Sequence, residues 1–180
     1  VEFRAHRLEG RSYASDHRWQ MARKFLSDAG MDPKTRAAGL LVLLYGIQLT
    51  RIVTITRTQI DTSSRPVRLT VGAEPIGLPE ILGDAISDLA DAAKHHPEGW
   101  LFPGRNPGNH LTPGPLSRRL RAEGLLAGSA RTTALIELTR QMHPRIVSDL
   151  LGITTSSAAA WSRLAGGDWS DYPALRSDHA

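Results

Sequence analysis

Arginine is the residue type in this chain best able to do chemistry, and the chemistry is the holding of phosphate. Seven arginines, Arg105, Arg118, Arg119, Arg121, Arg131, Arg140 and Arg145, fall between residues 101 and 150, against Glu123, Glu137 and Asp149. The local excess equals the net charge of the whole chain, +4. A guanidinium presents a planar fork of donors that meets two phosphate oxygens at once, and a cluster of such groups is the electrostatic footprint of a polyanion partner. Arg131 follows Ser129, which reads as the cap of a helix whose first N–H groups would favour an anion. The competing reading pairs Arg131 with Asp149 or Glu137 as a tie between helices. Arg118, Arg119 and Arg121 crowd four consecutive positions and cannot all face one way, so part of that cluster is equally a solvated helix face. The preference for 19 arginines over three lysines would also follow from a GC-rich genome.

Other chemistries are poorly supplied. There is no cysteine, so disulfides and thiolate metal sites are excluded, and a reducing interior is compatible with the composition. His95 and His96 are adjacent, point apart on a helix and have no acidic partner at ligand spacing. No Gly-x-Gly-x-x-Gly or P-loop pattern occurs. We therefore expect no metal, no cofactor and no small-molecule substrate.

The elements that must position the arginines are mostly helical. Ser15 is expected to cap a helix to about Ser27, with Trp19, Ala22, Phe25 and Leu26 on one face and Gly30 as the stop. Asp32-Pro33 is a specific start for a second helix through about Leu44, apolar around most of its circumference and so central. Thr50 opens a short helix carrying Arg51, Ile52, Val53 and Ile55. Val67, Leu69 and Val71 alternate with polar residues, Gly72 to Pro75 turns, and Ile76 and Leu78 follow, which spells a β-hairpin with one buried face. From Pro79 to about Lys94, Ile81, Leu82, Ala85, Ile86, Leu89 and Ala93 share one helical face, and Glu80, Asp84, Asp88 and Asp91 the other. That acidic stripe would be repelled by phosphates. Trp100 to Gly104 reads as a short extended piece, Thr112-Pro113 as the start of the helix bearing Arg118, Arg119 and Arg121, Ser129 to about Thr139 as another, His143-Pro144 to Gly152 as the next, and Thr155 or Ser156 to about Leu164 as the last.

At 180 residues, with 41% apolar and 22% charged side chains, the chain suits one folded domain. The expected division is an N-terminal segment and helix over 1–30, the end of a linker from a preceding region; a domain over 31–165; and a tail over 166–180. The longest apolar run, Ala37 to Ile47, falls short of the roughly 20 residues that span a bilayer, so no membrane association and a cytoplasmic setting are expected.

Order and wording from Asp32 to about Leu164 resemble the catalytic domain of tyrosine recombinases and phage integrases. The resemblance is carried by the hairpin, Trp100-Leu-Phe-Pro-Gly104, Gly128-Ser-Ala-Arg131-Thr-Thr-Ala134, Leu150-Leu-Gly-Ile153 and the small-residue helix ending at Trp161-Ser162. With Leu40-Leu-Val-Leu-Leu-Tyr45 and Gly167-Asp-Trp-Ser-Asp-Tyr172, the wording is similar to a group of actinobacterial integrase-like proteins. The resemblance implies a mainly α fold with a small antiparallel β-hairpin or sheet. It also implies a double-stranded DNA partner, and either self-association or a recombination partner protein.

It further implies a chemistry that most positions here no longer supply. The family attacks a phosphodiester with a tyrosine, steadies the phosphorane with two arginines, protonates the leaving oxygen with a lysine and positions the phosphate with histidine or tryptophan. Gln48 stands where the first arginine would fall, with Arg51 three residues on as a partial substitute. No lysine lies in the hairpin turn. Gly128 and Ile153 replace the histidines, Arg131 is retained, and the nucleophile would fall at Trp161 or Ser162. Removing one charge-stabilising donor costs on the order of 100- to 1000-fold in rate. The expected function is thus a catalytically degenerate, DNA-binding recombinase-like domain that binds duplex DNA or supports a recombination or integration complex, with Arg131, Arg51, Arg118, Arg119, Arg105 and Arg145 facing the DNA. The alternatives are an active recombinase with Tyr172 as a relocated nucleophile, and a protein-interaction module on the same scaffold.

Overall fold

The computed structural model describes residues 2–96 and 98–166, with side chains from residue 15 onward. Helix α1 (Glu2–Ser27) leads into α2 (Pro33–Tyr45), the short α3 (Leu49–Ile52), a 3₁₀ turn at Arg57–Gln59, three two-residue strands, β1 (Ile60–Asp61), β2 (Arg68–Leu69) and β3 (Ile76–Gly77), then α4 (Glu80–Ala93), α5 (Pro113–Ala122), α6 (Ala127–Gln141), α7 (Pro144–Leu151) and α8 (Thr155–Ala165). The mainly helical architecture with a small antiparallel sheet agrees with the sequence reading.

Helix α2 sits at the centre because it is apolar on every side. Thr35, Ala37, Ala38, Gly39 and Leu40 to Leu43 are all buried, and α1, α4, α5 and α6 pack around it. The Asp32 carboxylate starts the helix by accepting the Thr35 backbone N–H at 2.9 Å and the Thr35 hydroxyl at 2.7 Å. Gly39 is there for packing: a β-carbon would lie 3.1 Å from Phe25 Cζ and nearer still to two other ring carbons. Arg36 then closes the C-terminal end of α1 by donating to the carbonyls of Phe25 (2.9 Å) and Leu26 (2.7 Å).

The strands form one antiparallel sheet in the order β1-β2-β3, with Ile60 opposite Leu69 and Leu69 opposite Ile76. Val67, Leu69, Val71, Ile76 and Leu78 are buried, as their alternation requires. Strand β1 has no such signature in the sequence, because its two residues are placed by pairing with β2. Helix α4 packs on α2, β1 and the 3₁₀ turn and leaves Glu80, Asp84, Asp88 and Asp91 exposed.

Four local expectations are corrected. Ser15 is not a cap, since α1 begins at Glu2; its hydroxyl bonds the Glu137 carboxylate across to α6. Trp19 is 45% exposed, with one face of its ring met by the Arg18 guanidinium, 4.5 Å from the carbon to the centroid. Ile81 is exposed as well, one residue inside the start of α4, where the helix overhangs its partners. Ser129 does not cap α6, which starts two residues earlier behind Leu126 with no side-chain cap.

Asp32 supplies a pH-dependent prediction. Burial raises its pKa, but the Thr35 hydrogen bonds and the charges of Arg119 and Lys34 outweigh that effect and hold it below the ordinary value of 3.8. A depressed carboxylate stabilises the fold above the unfolded pKa and loses that contribution as pH falls through the folded value. Asp32→Ala should lower stability by about 1 kcal/mol at pH 7 in urea unfolding, and the gap to wild type should shrink below about pH 4.

Candidate functional site

The turn that ends α2 is the first element of the site. Gly46 takes the left-handed conformation (φ 64°) as its C-cap, and a β-carbon there would meet the Leu135 side chain at 2.9 Å and the Arg131 carbonyl oxygen at 3.2 Å. This close approach sets the end of α2 against α6. Gln48 then precedes α3 as its N-cap, exposed, and Arg51 follows near the end of that single turn.

Three elements close around these residues. A cleft of about 400 Å³ is bounded by Gln48 and Arg51 from the α3 segment, Arg131 from α6, Gly152, Ile153 and Thr154 from the α7–α8 connection, and Ser157 and Trp161 from α8. Of the positions picked out in the sequence, Gln48, Arg51, Arg131, Ile153 and Trp161 thus converge. Gly128 does not join them. It lies with Ser117, Arg121 and Ser129 at a separate depression of about 300 Å³, because α6 begins there and carries Arg131 a full turn further on.

The two cleft arginines are held differently. Arg51 donates from Nη2 to the Val71 carbonyl oxygen and from Nη1 to that of Gly152, at 3.4 Å for the latter. Both acceptors are neutral, and no carboxylate among the described residues pairs with it. Arg131 is half-buried, its Nε is enclosed without a hydrogen-bond partner, and its guanidinium carbon stands 5.9 Å from the centre of the Trp161 ring. Burial alone pushes its pKa below the ordinary guanidinium value, because desolvation penalises the charged form. Neither expected partner reaches it: Glu137 pairs with Arg18 and Asp149 with Arg145 at 3.2 Å. Among the described residues no acidic side chain lines the cleft.

At the two positions where a nucleophile would fall, the side chains diverge. Trp161 lines the cleft and packs partly on the core, whereas Ser162 is 3% exposed and its hydroxyl has no hydrogen-bond partner among the described residues. Ser162 therefore faces the interior. The hydroxyls present at the cleft are those of Thr154 and Ser157, 2.9 Å apart, and Thr154 also caps α8 by accepting the Ser157 N–H at 3.2 Å. The pattern Thr154-x-x-Ser157 is a cap signature, and α8 starts behind it at Thr155, the first of the two expected positions. Among the described residues no histidine, lysine or carboxylate borders them in the cleft, so this lining can hold an anion and itself supplies no general base for a nucleophile.

The remaining arginines lie apart. Arg118, Arg119 and Arg121 are exposed on α5, and Arg119 approaches Asp32 at 3.9 Å. Arg105 is exposed in the loop between the bridged residues Pro103 and His110. Tyr172 falls outside the described residues. Among the described residues no group of three or more His, Cys, Asp or Glu could hold a metal ion, and no helix is long and apolar enough to cross a membrane.

Against known proteins, no family model and no curated protein matches the chain. Among solved structures, the crystal structure of XerA recombinase superposes with a TM-score of 0.59 at 15% identity, over 89% of this chain and 63% of that one. At that identity the likeness establishes the fold, which is that of the tyrosine recombinases. The chain spans 63% of XerA's length.

The burial of Ser162 gives a direct test. Ser162→Ala removes a buried hydroxyl that has no partner, so thermal unfolding should show stability unchanged or raised by up to about 1 kcal/mol. A loss greater than about 1 kcal/mol would mean that the hydroxyl is bonded.

Proposed function

We propose that this chain is a recombinase-like domain of the degenerate integrase type that binds double-stranded DNA through its phosphates and does not cut it. One observation carries the reading: two guanidiniums, Arg51 and Arg131, that among the described residues have no carboxylate partner converge on one cleft whose described lining includes no acidic side chain. Leaving two charges uncompensated there is unfavourable for a free protein and favourable for one that receives an anion. The exposed Arg118, Arg119, Arg121 and Arg105 extend the positive surface, and they would add the sequence-independent contacts typical of phosphate-backbone binding. Arg145, tied to Asp149, would contribute less. The fold supports a role in DNA recombination, and the position of Ser162 and the lack of a base in the cleft favour binding over strand transfer.

Duplex binding should weaken steeply with salt, with a log–log slope near −0.9 for each phosphate contacted. Arg131→Glu should weaken affinity at least tenfold and flatten that slope by about one contact. Its stability should fall by no more than about 2 kcal/mol, the Trp161 contact it loses, because no ion pair is broken. The absence of duplex binding at low salt would remove DNA as the partner and favour a protein-interaction module. Incubation of the full chain with a nicked suicide duplex should give no covalent adduct. An adduct that vanishes in Tyr172→Phe would establish an active recombinase with a relocated nucleophile.

A further inference from the structure

The hairpin turn between β2 and β3 lies against the C-terminal end of α7. The backbone N–H groups of Ala73 and Glu74 both donate to the Asp149 carbonyl oxygen, at 2.7 and 3.0 Å. Gly72 fits so closely that a β-carbon would fall 2.7 Å from both the Gly152 nitrogen and the Leu150 carbonyl oxygen, and nearer still to that of Asp149. Real β-carbons do not approach backbone atoms so closely, and rigid backbone cannot yield as a flexible side chain would. The residue before this turn, Val71, offers its carbonyl to Arg51, and the residue after α7, Gly152, offers the other. Arg51 is thus seated in a socket whose two walls are held together by the Gly72 contact.

Resting on the phosphate-binding reading above, we infer that Gly72 is a positioning residue for the anion site: by docking the hairpin turn on α7 it fixes the two carbonyls that aim the Arg51 guanidinium into the cleft. The turn then serves the phosphate from behind and does not itself reach the DNA. A guanidinium has five N–H donors, and two carbonyl bonds leave others for a ligand. Fixing the group beforehand removes the cost of ordering a long side chain on binding. The ligand is the same phosphodiester anion, and the recognition element is a guanidinium oriented by neutral backbone.

The test measures duplex DNA affinity at several salt concentrations for wild type, Arg51→Gln, Gly72→Ala and the double variant. Arg51→Gln should weaken binding about tenfold and flatten the salt slope by about 0.9. Gly72→Ala, which leaves every charge in place, should reproduce both effects, and the double variant should be no worse than either single. A merely structural glycine would lower the melting temperature and leave the slope alone, and that result overturns the inference. Glu74→Ala should leave affinity unchanged; tighter binding would mean that the turn approaches phosphates, which also overturns it. Wild-type protein gives a measurement that does not depend on the variants folding: hydrogen exchange at the Ala73 and Glu74 amides should slow when duplex saturates the cleft, and unaltered exchange overturns the inference. Failure of wild type to bind any duplex would sink the phosphate reading and this one together. Normal binding with Gly72→Ala indistinguishable from wild type would sink only the positioning role.

Discussion

The C-terminal end of α7 is the junction on which the rest of the site depends. A helix leaves its last carbonyls without intrahelical partners, and here that of Asp149 is met from outside the helix. The hairpin turn supplies two N–H groups to Asp149, the Gly152 N–H returns to Ser148, and the Ser148 hydroxyl donates to Ile153 at 2.7 Å. Arg51 completes the set from α3. Elements far apart in sequence are thereby joined through main-chain atoms, whose geometry cannot vary with side-chain identity. The glycines at this junction follow from that geometry: Gly152 takes a left-handed φ of 61°, and Gly72 has no room for a side chain.

Two enclosed arginines show how differently one residue type is used in one fold. Arg18 is 4% exposed, donates to the Leu43 carbonyl and pairs with Glu137, so α1 and α6 are tied by a compensated charge. Removing either partner of such a pair leaves the other buried and unpaired, which is costly even where the intact pair contributes little net stability. Arg131, on the same helix as Glu137, has a neutral aromatic ring beside it and no carboxylate. Among the described residues its charge is met by the quadrupole of Trp161, worth about 0.5–2 kcal/mol. One arginine is part of the fold's own stability, and the other is left available to something outside the chain.

Much of this fold was legible in the residues. Asp32-Pro33 and His143-Pro144 start helices because a capping side chain followed by a proline admits little else, and both caps are made. The hairpin alternation at Val67, Leu69 and Val71 fixed which face is buried. Less local features were not legible. Ser15 and Ser129 look like caps, yet each lies inside a helix whose extent is set by neighbours. The Arg131 carboxylate partner suggested by sequence proximity does not exist, since Glu137 is claimed by a residue 119 positions away and Asp149 by its own helix neighbour. The convergence of Gln48, Arg51, Arg131 and Trp161 was expected only through resemblance, because spacing along a chain carries no information about which helix ends meet.

The separation between holding a phosphate and cutting it follows from what each demands. Binding requires charge and donors in a fixed place, and two cations held by backbone or by an aromatic ring satisfy that requirement without any group changing its protonation. Cutting requires a nucleophile that can be deprotonated, a group to take the proton and another to return one to the leaving oxygen. In this cleft the hydroxyls of Thr154 and Ser157 bond each other and the start of α8, and the buried hydroxyl of Ser162 does not line it. The acidic residues of α4, Glu80, Asp84, Asp88 and Asp91, are exposed on an element that packs on α2 and β1, and none is among the described residues that line the cleft; under the proposed phosphate-binding role, that face would repel the polyanion.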